Sequence, residues 1–194
     1  MDWRLFQWVN TVQQRTTWAH GPLRLYAKVG IVVFPLAIVV AWWVARRERD
    51  PRRVAAAAWA GLAALGALVV NQLVGHLVLR PRPYVTHAGV HLLVGRTGDF
   101  SFPSDHLAVA ASVAAALFLV DRRLGLAAAI LAGFMALARV YVGAHYPGDV
   151  GGGIVIGVLV ALAGWPPAVR VLEPLAARLA RSPLRPLVFA RDTQ

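Results

Sequence analysis

Three short stretches of this chain carry residue types that an apolar, alanine-rich protein has no structural need of. The run Ser101-Phe102-Pro103-Ser104-Asp105-His106 sets a serine, a carboxylate and an imidazole side by side. Downstream, Arg139, His145 and Asp149 follow the spacing Arg-x5-His-x3-Asp, and upstream lies Arg80-Pro81-Arg82-Pro83. Together they offer a nucleophile, an acid, an orienting carboxylate and cationic clamps. Those are the parts that phosphoryl transfer through an enzyme-bound phosphate requires.

Each residue has a chemical role and a plainer alternative. Asp149 follows His145 by four residues, with Pro147 between them as a first-turn helix residue. A carboxylate there can fix one imidazole nitrogen and leave the other as a nucleophile; the alternative is an interfacial histidine beside an aspartate that complements a helix dipole. Arg139 lies within the apolar run 135–142 and wants an anion such as phosphate, or else snorkels to the interface. Ser104 and His106 open an apolar segment whose free N–H groups suit a phosphate. There Ser104 can donate to a phosphoryl oxygen and His106 can protonate the leaving oxygen; Ser104 or Asp105 can equally be the helix cap. Arg80 and Arg82, stiffened by prolines, suit the charge of a phosphoryl transition state or simply meet lipid headgroups. His20, His76, His87 and His91 show no ligand spacing, so no metal site is expected.

The elements that must position these groups are membrane helices. The chain of 194 residues is 58% hydrophobic with a mean hydropathy of +0.59, outside the range of an ordinary soluble domain. Its net charge of +11 sits in short loops beside apolar runs, which speaks for membrane topology rather than nucleic acid. Cysteine is absent, which removes disulfides and thiolate metal sites, and the first twenty residues lack the apolar core and cleavage site of a signal peptide. The expectation is an all-α polytopic transmembrane bundle forming one domain over 1–194. An N-terminal interfacial helix over 1–21 is followed by five spans near 24–45, 54–79, 105–121, 124–143 and 149–165. Pro166-Pro167 end the last span, leaving a cytoplasmic amphipathic tail over 166–194. Twelve of the twenty cationic residues fall in 46–53, 122–123 and the tail, Arg191 included. The positive-inside rule puts those segments in the cytoplasm and turns the histidines outward. Gly153-x3-Gly157 reads as a helix-packing motif. The loop 84–100, with Arg96 and Asp99, reads as solvated loop, with a lid or headgroup-binding role as the alternative.

The three stretches resemble the signature of the type 2 phosphatidic acid phosphatase family, integral membrane lipid phosphatases related to vanadium haloperoxidases. The family pattern is Lys-x6-Arg-Pro, Pro-Ser-Gly-His and Ser-Arg-x5-His-x3-Asp. Here it is met by Arg82-Pro83, by Pro103-Ser104-Asp105-His106, and by Arg139, His145 and Asp149. The resemblance covers roughly residues 54–165 and departs in three places: Gly75 stands for the lysine, Ala138 for the serine and Asp105 for the glycine. The Ser-Phe-Pro-Ser-Asp-His run, with Asn71-Gln72 ahead of it, is similar to the bacterial bacitracin-resistance branch, the undecaprenyl-diphosphate phosphatases.

The resemblance implies that His145 attacks phosphorus to form a phosphohistidine, supported by Asp149. His106 then acts as acid and afterwards as base, while Arg82, Arg139 and Ser104 hold the phosphoryl group, with no obligatory cofactor or metal. Arg80 can stand in for the missing lysine, and Asp105 either stays protonated beside a diphosphate or helps hold a cation. The implied substrate is a polyprenyl diphosphate at the outer face of a bacterial plasma membrane, where a cell-wall carrier lipid is recycled. The alternatives are a broader phosphatase acting on phosphatidic acid or phosphatidylglycerol phosphate, and a non-catalytic lipid-phosphate binder or transporter. The bilayer and a lipid phosphate are the expected partners. Homo-oligomerisation is left open.

Overall fold

The computed structural model describes residues 1–190, all of whose regular elements are helical. They are α1 (Asp2–Arg15), α2 (His20–Val29), α3 (Val33–Glu48), α4 (Pro51–Val78), α5 (Pro83–Thr86), α6 (Asp105–Leu117), α7 (Arg122–Tyr141), α8 (Pro147–Leu179) and α9 (Arg185–Val188). Local chemistry starts the long ones. Asp50 caps α4 by accepting from Arg52 N at 2.9 Å, with Pro51 in the first turn. Asp121 caps α7 by accepting from Arg123 N at 2.7 Å and Leu124 N at 3.1 Å. Pro147 opens α8.

The bundle is polarised by residue size. Ala56, Ala60, Ala63 and Ala67 of α4 are buried, whereas Leu62, Leu65, Val69, Leu73 and Leu77 of the same helix face outward. The outward stripes of α7 (Leu126, Ile130, Phe134, Leu137) and α8 (Val155, Leu159, Leu162) repeat the pattern. In water such stripes would be a liability; in a bilayer they meet acyl chains while small residues let helices approach. Closest approach is between α8 and α6. A Cβ on Gly153 would stand 2.5 Å from the Ser104 carbonyl oxygen, and one on Gly157 would run into the Ala108 carbonyl. The pairing of 153 with 104 and 157 with 108 also shows that α8 and α6 run in the same direction.

Four helical stretches are long and apolar enough to cross a membrane: Thr17–Glu48, Pro51–Thr86, Arg122–Tyr141 and Pro147–Leu179. The segment expected as the third of five spans is the shorter Asp105–Leu117. It is ringed by α4, α7 and α8, and nearly all of its side chains are buried in protein. Sheathed in this way, it meets little lipid. Two further expectations are corrected. Pro166-Pro167 do not end the last helix: α8 continues through both and through Pro174 to Leu179, so the tail begins later than residue 166. The N-terminal segment is not one interfacial helix over 1–21, because α1 stops at Arg15 and buries Phe6, Asn10 and Gln13 against the bundle. Arg191 and the end of the expected tail lie outside the described residues.

The basic segments gather at one end. Ala190 N donates to the Arg46 carbonyl at 2.9 Å, and Trp42 Nε1 donates to the Leu187 carbonyl at 2.8 Å. Helix α4, about 42 Å long at 1.5 Å per residue, carries the chain from that end to Arg80 and Arg82 at the other.

Candidate active site

His145 occupies the turn between α7 and α8, which Gly143 permits by adopting φ of 82°. Its ring is 2% exposed. Nδ1 lies 2.8 Å from the Ser101 carbonyl, and Nε2 lies 3.1 Å from both Arg82 Nη1 and Arg139 Nη2. A carbonyl cannot donate and a guanidinium cannot accept, so the tautomer follows: Nδ1 carries the hydrogen and Nε2 presents its lone pair. Burial pushes the imidazole down to about 4, against the pull of Asp149, and the charges of Arg139 and Arg82 push the same way. At neutral pH the ring is uncharged, and its Nε2 lone pair faces the two guanidinium groups.

Asp149 is fully buried in the first turn of α8. Its Oδ1 accepts from Arg80 Nη1 at 2.8 Å, and its Oδ2 accepts from Ser101 Oγ at 2.5 Å and Tyr146 N at 2.8 Å. Oδ2 is 3.8 Å from His145 Nδ1. The carboxylate thus stands next to the imidazole, and the close acceptor of the ring proton is Ser101.

Arg82 is 6% exposed and is held from several sides. It donates to the Ala144 carbonyl at 3.0 Å and to Asp99 Oδ2 at 2.8 Å, besides His145. Burial would raise the Asp99 carboxyl; hydrogen bonds from Thr97 and Arg82, with the Arg82 charge, outweigh it and leave the group below its ordinary value. Arg139 donates to the Ala27 carbonyl at 3.3 Å, yet its Nε is buried without a partner. Ser104 Oγ is likewise buried and unpartnered, and the serine makes no side-chain cap to α6. A buried donor without an acceptor carries a desolvation penalty of about 1–3 kcal/mol. Anionic oxygens would relieve it at both atoms.

Arg82, Asp105, His106, Arg139 and His145 line one cavity of about 320 Å³. Lys28 of α2 and Arg96 of the loop after α5 add two cations to its wall. Arg80 is placed elsewhere: it is not part of that wall and instead spans Asp149 and Asp2, with Nη2 donating to Asp2 Oδ2 at 2.7 Å. Asp105 accepts from Asn71 Nδ2 at 2.7 Å and Gln72 Nε2 at 2.8 Å, tying α4 to the start of α6. It also borders a second cavity of about 300 Å³, which Gly75 lines. Among the described residues no group of three or more His, Asp or Glu is placed to hold a metal ion.

Of the residues singled out from sequence, His106, His145, Arg82, Arg139 and Asp105 converge on the cavity, Ser104 adjoins it, and Asp149 and Arg80 stand behind His145. Sequence reasoning missed Lys28, Asp2 and the carbonyl of Ser101. Lys28 lies in a helix remote in sequence with no motif around it, and a backbone acceptor leaves no compositional trace.

Residues 56–169 match the family model of the PAP2 superfamily. The undecaprenyl-diphosphatase BcrC of Bacillus subtilis is 28% identical over 160 residues, 82% of this chain and 80% of that protein. The putative undecaprenyl-diphosphatase YbjG of Escherichia coli is 35% identical over 158 residues, 80% of this chain and 76% of that protein. In fold, the chain is similar to the PAP2-type phosphatidylglycerolphosphate phosphatase of Bacillus subtilis, with a TM-score of 0.65 at 20% identity over 88% of this chain and 85% of that one. With a family model spanning most of the bundle, this multi-pass membrane protein belongs to the PAP2 superfamily and is a phosphatase of that family.

Proposed function

We propose that the protein hydrolyses the terminal phosphate of a polyprenyl diphosphate, undecaprenyl diphosphate in particular, through a phosphohistidine on His145. One observation carries the chemistry: Nε2 of a neutral, buried imidazole is offered at 3.1 Å to two guanidinium groups in a cavity that also holds a second histidine. A phosphoryl group drawn in by those cations meets the lone pair directly. The N–P bond forms as the P–O bond to the lipid phosphate breaks, and His106, held protonated by the charge of the bound anionic substrate, gives its proton to the leaving oxygen. Positive charge accrues on the imidazole and is met by the Ser101 carbonyl and by Asp149. His106, now neutral, takes a proton from water. The hydroxide displaces His145, releasing inorganic phosphate and restoring both histidines. The unpartnered Arg139 Nε and Ser104 Oγ suit phosphoryl oxygens.

Two features support a diphosphate. Among the described residues neither Lys28 nor Arg96 forms an ion pair, although Arg96 stacks on Tyr84 at 5.6 Å, so the cavity wall has cations left over for a second phosphate. The relatives' names point to the same substrate. The basic segments at the far end of the bundle favour an outward-facing site, which suits a carrier lipid released during wall assembly. No cofactor is needed for these steps.

The test is phosphate release by purified protein, compared across undecaprenyl diphosphate and phosphatidic acid, with trapping of an acid-labile phosphoenzyme. The expected result is preference for the diphosphate and loss of both turnover and trapped phosphate in His145→Ala. Phosphatidic acid turned over faster would overturn the substrate assignment, and an active His145→Ala would overturn the mechanism.

A further inference from the structure

The first residues of α1 reach the site from behind. Asp2 Oδ2 accepts from Arg80 Nη2 at 2.7 Å while Asp2 Oδ1 accepts from Gly148 N at 2.8 Å. The other arm of the same guanidinium donates to Asp149 Oδ1 at 2.8 Å, and its Cζ lies 4.0 Å from the centroid of the Tyr146 ring. One planar cation therefore joins two carboxylates, and its fork fixes the angle between them. A Cβ at position 148 would lie 2.8 Å from Asp2 Oδ2, so a larger residue there would push the Asp2 carboxylate aside.

Asp2 is presented by a helix that is itself anchored. Phe6 is fully buried and its ring lies 5.5 Å from that of Tyr146. Trp3 stacks on His87 at 3.5 Å. Asn10 exchanges two bonds with the His91 backbone, at 2.9 and 3.1 Å, and Gln13 Nε2 adds a third to the His91 carbonyl at 3.1 Å. The carboxylate at the start of α1 is thus a fixed point against which Arg80 can be held.

From this geometry we infer that Asp2 is a positioning residue for the nucleophile, holding Arg80 on Asp149 and keeping that guanidinium out of the phosphate cavity. The inference rests on the reading of His145 as nucleophile. Arg80 is a cation bonded to the Asp149 carboxylate that adjoins His145. With only Asp149 to pair with, its free arm would swing toward bound phosphate and draw the Asp149 carboxylate with it. Ser101, whose hydroxyl donates to Asp149 Oδ2 and whose carbonyl accepts from the His145 ring, would then lose its register. With Asp2 in place both arms are engaged, and Asp149 stays directed at Ser101.

Asp2→Asn separates this role from a structural one, because the amide keeps an acceptor for Gly148 N and loses the ion pair with Arg80. The expected result is a kcat about tenfold lower, with KM within about twofold and little change in melting temperature. Asp2→Ala should lose the same factor in kcat and also melt earlier, and it reads the kinetic effect if the asparagine variant folds poorly. In an Arg80→Met background Asp2→Asn should cost nothing further, since the cation it acts through is gone. Wild-type kcat in Asp2→Asn, or a loss additive to that of Arg80→Met, would overturn the inference. His145→Ala measured alongside keeps the two readings apart. If it is inactive while Asp2→Asn is normal, only the role of Asp2 falls; if it is active, the nucleophile assignment falls first.

Discussion

The Asp149 carboxylate stands 3.8 Å from Nδ1 of His145, and Ser101 closes the gap with both of its oxygens. Its carbonyl accepts from His145 Nδ1 at 2.8 Å and its hydroxyl donates to Asp149 Oδ2 at 2.5 Å. The usual arrangement of a carboxylate bonded directly to a catalytic imidazole is thus widened by one residue. The backbone part of that link survives any substitution at position 101, while the hydroxyl part does not.

Ser101→Ala therefore leaves the imidazole tautomer in place and removes one donor from a buried carboxylate. Hydrogen bonds to charged groups contribute about 1.5–3 kcal/mol, so kcat should fall by one to two orders of magnitude with KM little changed. Steady-state kinetics in detergent check this, and an unchanged kcat would mean that Tyr146 N and Arg80 suffice to hold Asp149.

His106→Ala should cost roughly 100- to 10,000-fold on phosphatidic acid, whose alkoxide leaving oxygen must be protonated, the usual contribution of a positioned acid. The loss should shrink for an aryl phosphate whose leaving oxygen needs no proton. Comparing the two substrates separates acid catalysis from damage to the cavity. Equal losses on both would assign His106 to binding.

Titration of His145 has a definite sign. Its value in the folded protein is depressed from 6.5 to about 4 by burial first, with Arg139 and Arg82 adding to it against Asp149. Below about pH 6.5 the unfolded chain takes up a proton that the folded chain refuses until about pH 4. Stability should accordingly be complete above pH 6.5 and decline as pH falls through that window. His145→Gln should flatten the decline, which melting temperatures measured between pH 7 and 4 will show.

Much of the site was legible because chemistry at membrane depth is conspicuous. An arginine at position 139 inside an apolar run, and two histidines at helix starts, have few structural reasons to be there. The glycines at 153 and 157 likewise marked a close helix contact. What escaped was set by packing. Arg80 carries the same charge as Arg82 and, like it, precedes a proline, yet one points at Asp2 and Asp149 and the other at His145. Nothing local distinguishes them. Pro166-Pro167 read as a stop because proline removes a helical hydrogen bond, and α8 nonetheless continues to Leu179.

Orientation in the membrane is testable without kinetics. The arginines at 46–53 and 122–123 lie at the end of the bundle away from His145, and the positive-inside rule puts that end in the cytoplasm. A single cysteine at Arg49 should be shielded from an impermeant thiol reagent in intact cells, and one at Gly89 should be labelled. The reverse pattern would place the site in the cytoplasm and remove the case for an externally released carrier lipid.

Asp105 sits where two cavities meet, and both of its oxygens already accept amide hydrogens from Asn71 and Gln72. A carboxylate so tied cannot turn freely toward a substrate; with Asp99, Phe100 and Pro103 it lines both the arginine-lined cavity and the one that Gly75 borders. Asp105→Gly frees both amides and opens the first cavity into the second, so a single phosphate gains room and a diphosphate loses its fitted end. The ratio of kcat/KM for polyprenyl diphosphate over phosphatidic acid should then fall by roughly tenfold, about 1.4 kcal/mol of discrimination. Asp105→Asn, which keeps the wall and changes the charge, should move the ratio less. If the glycine variant left the ratio unchanged, Asp105 would be only a tie between α4 and α6, and discrimination would fall to Lys28 and Arg96 at the other side of the cavity.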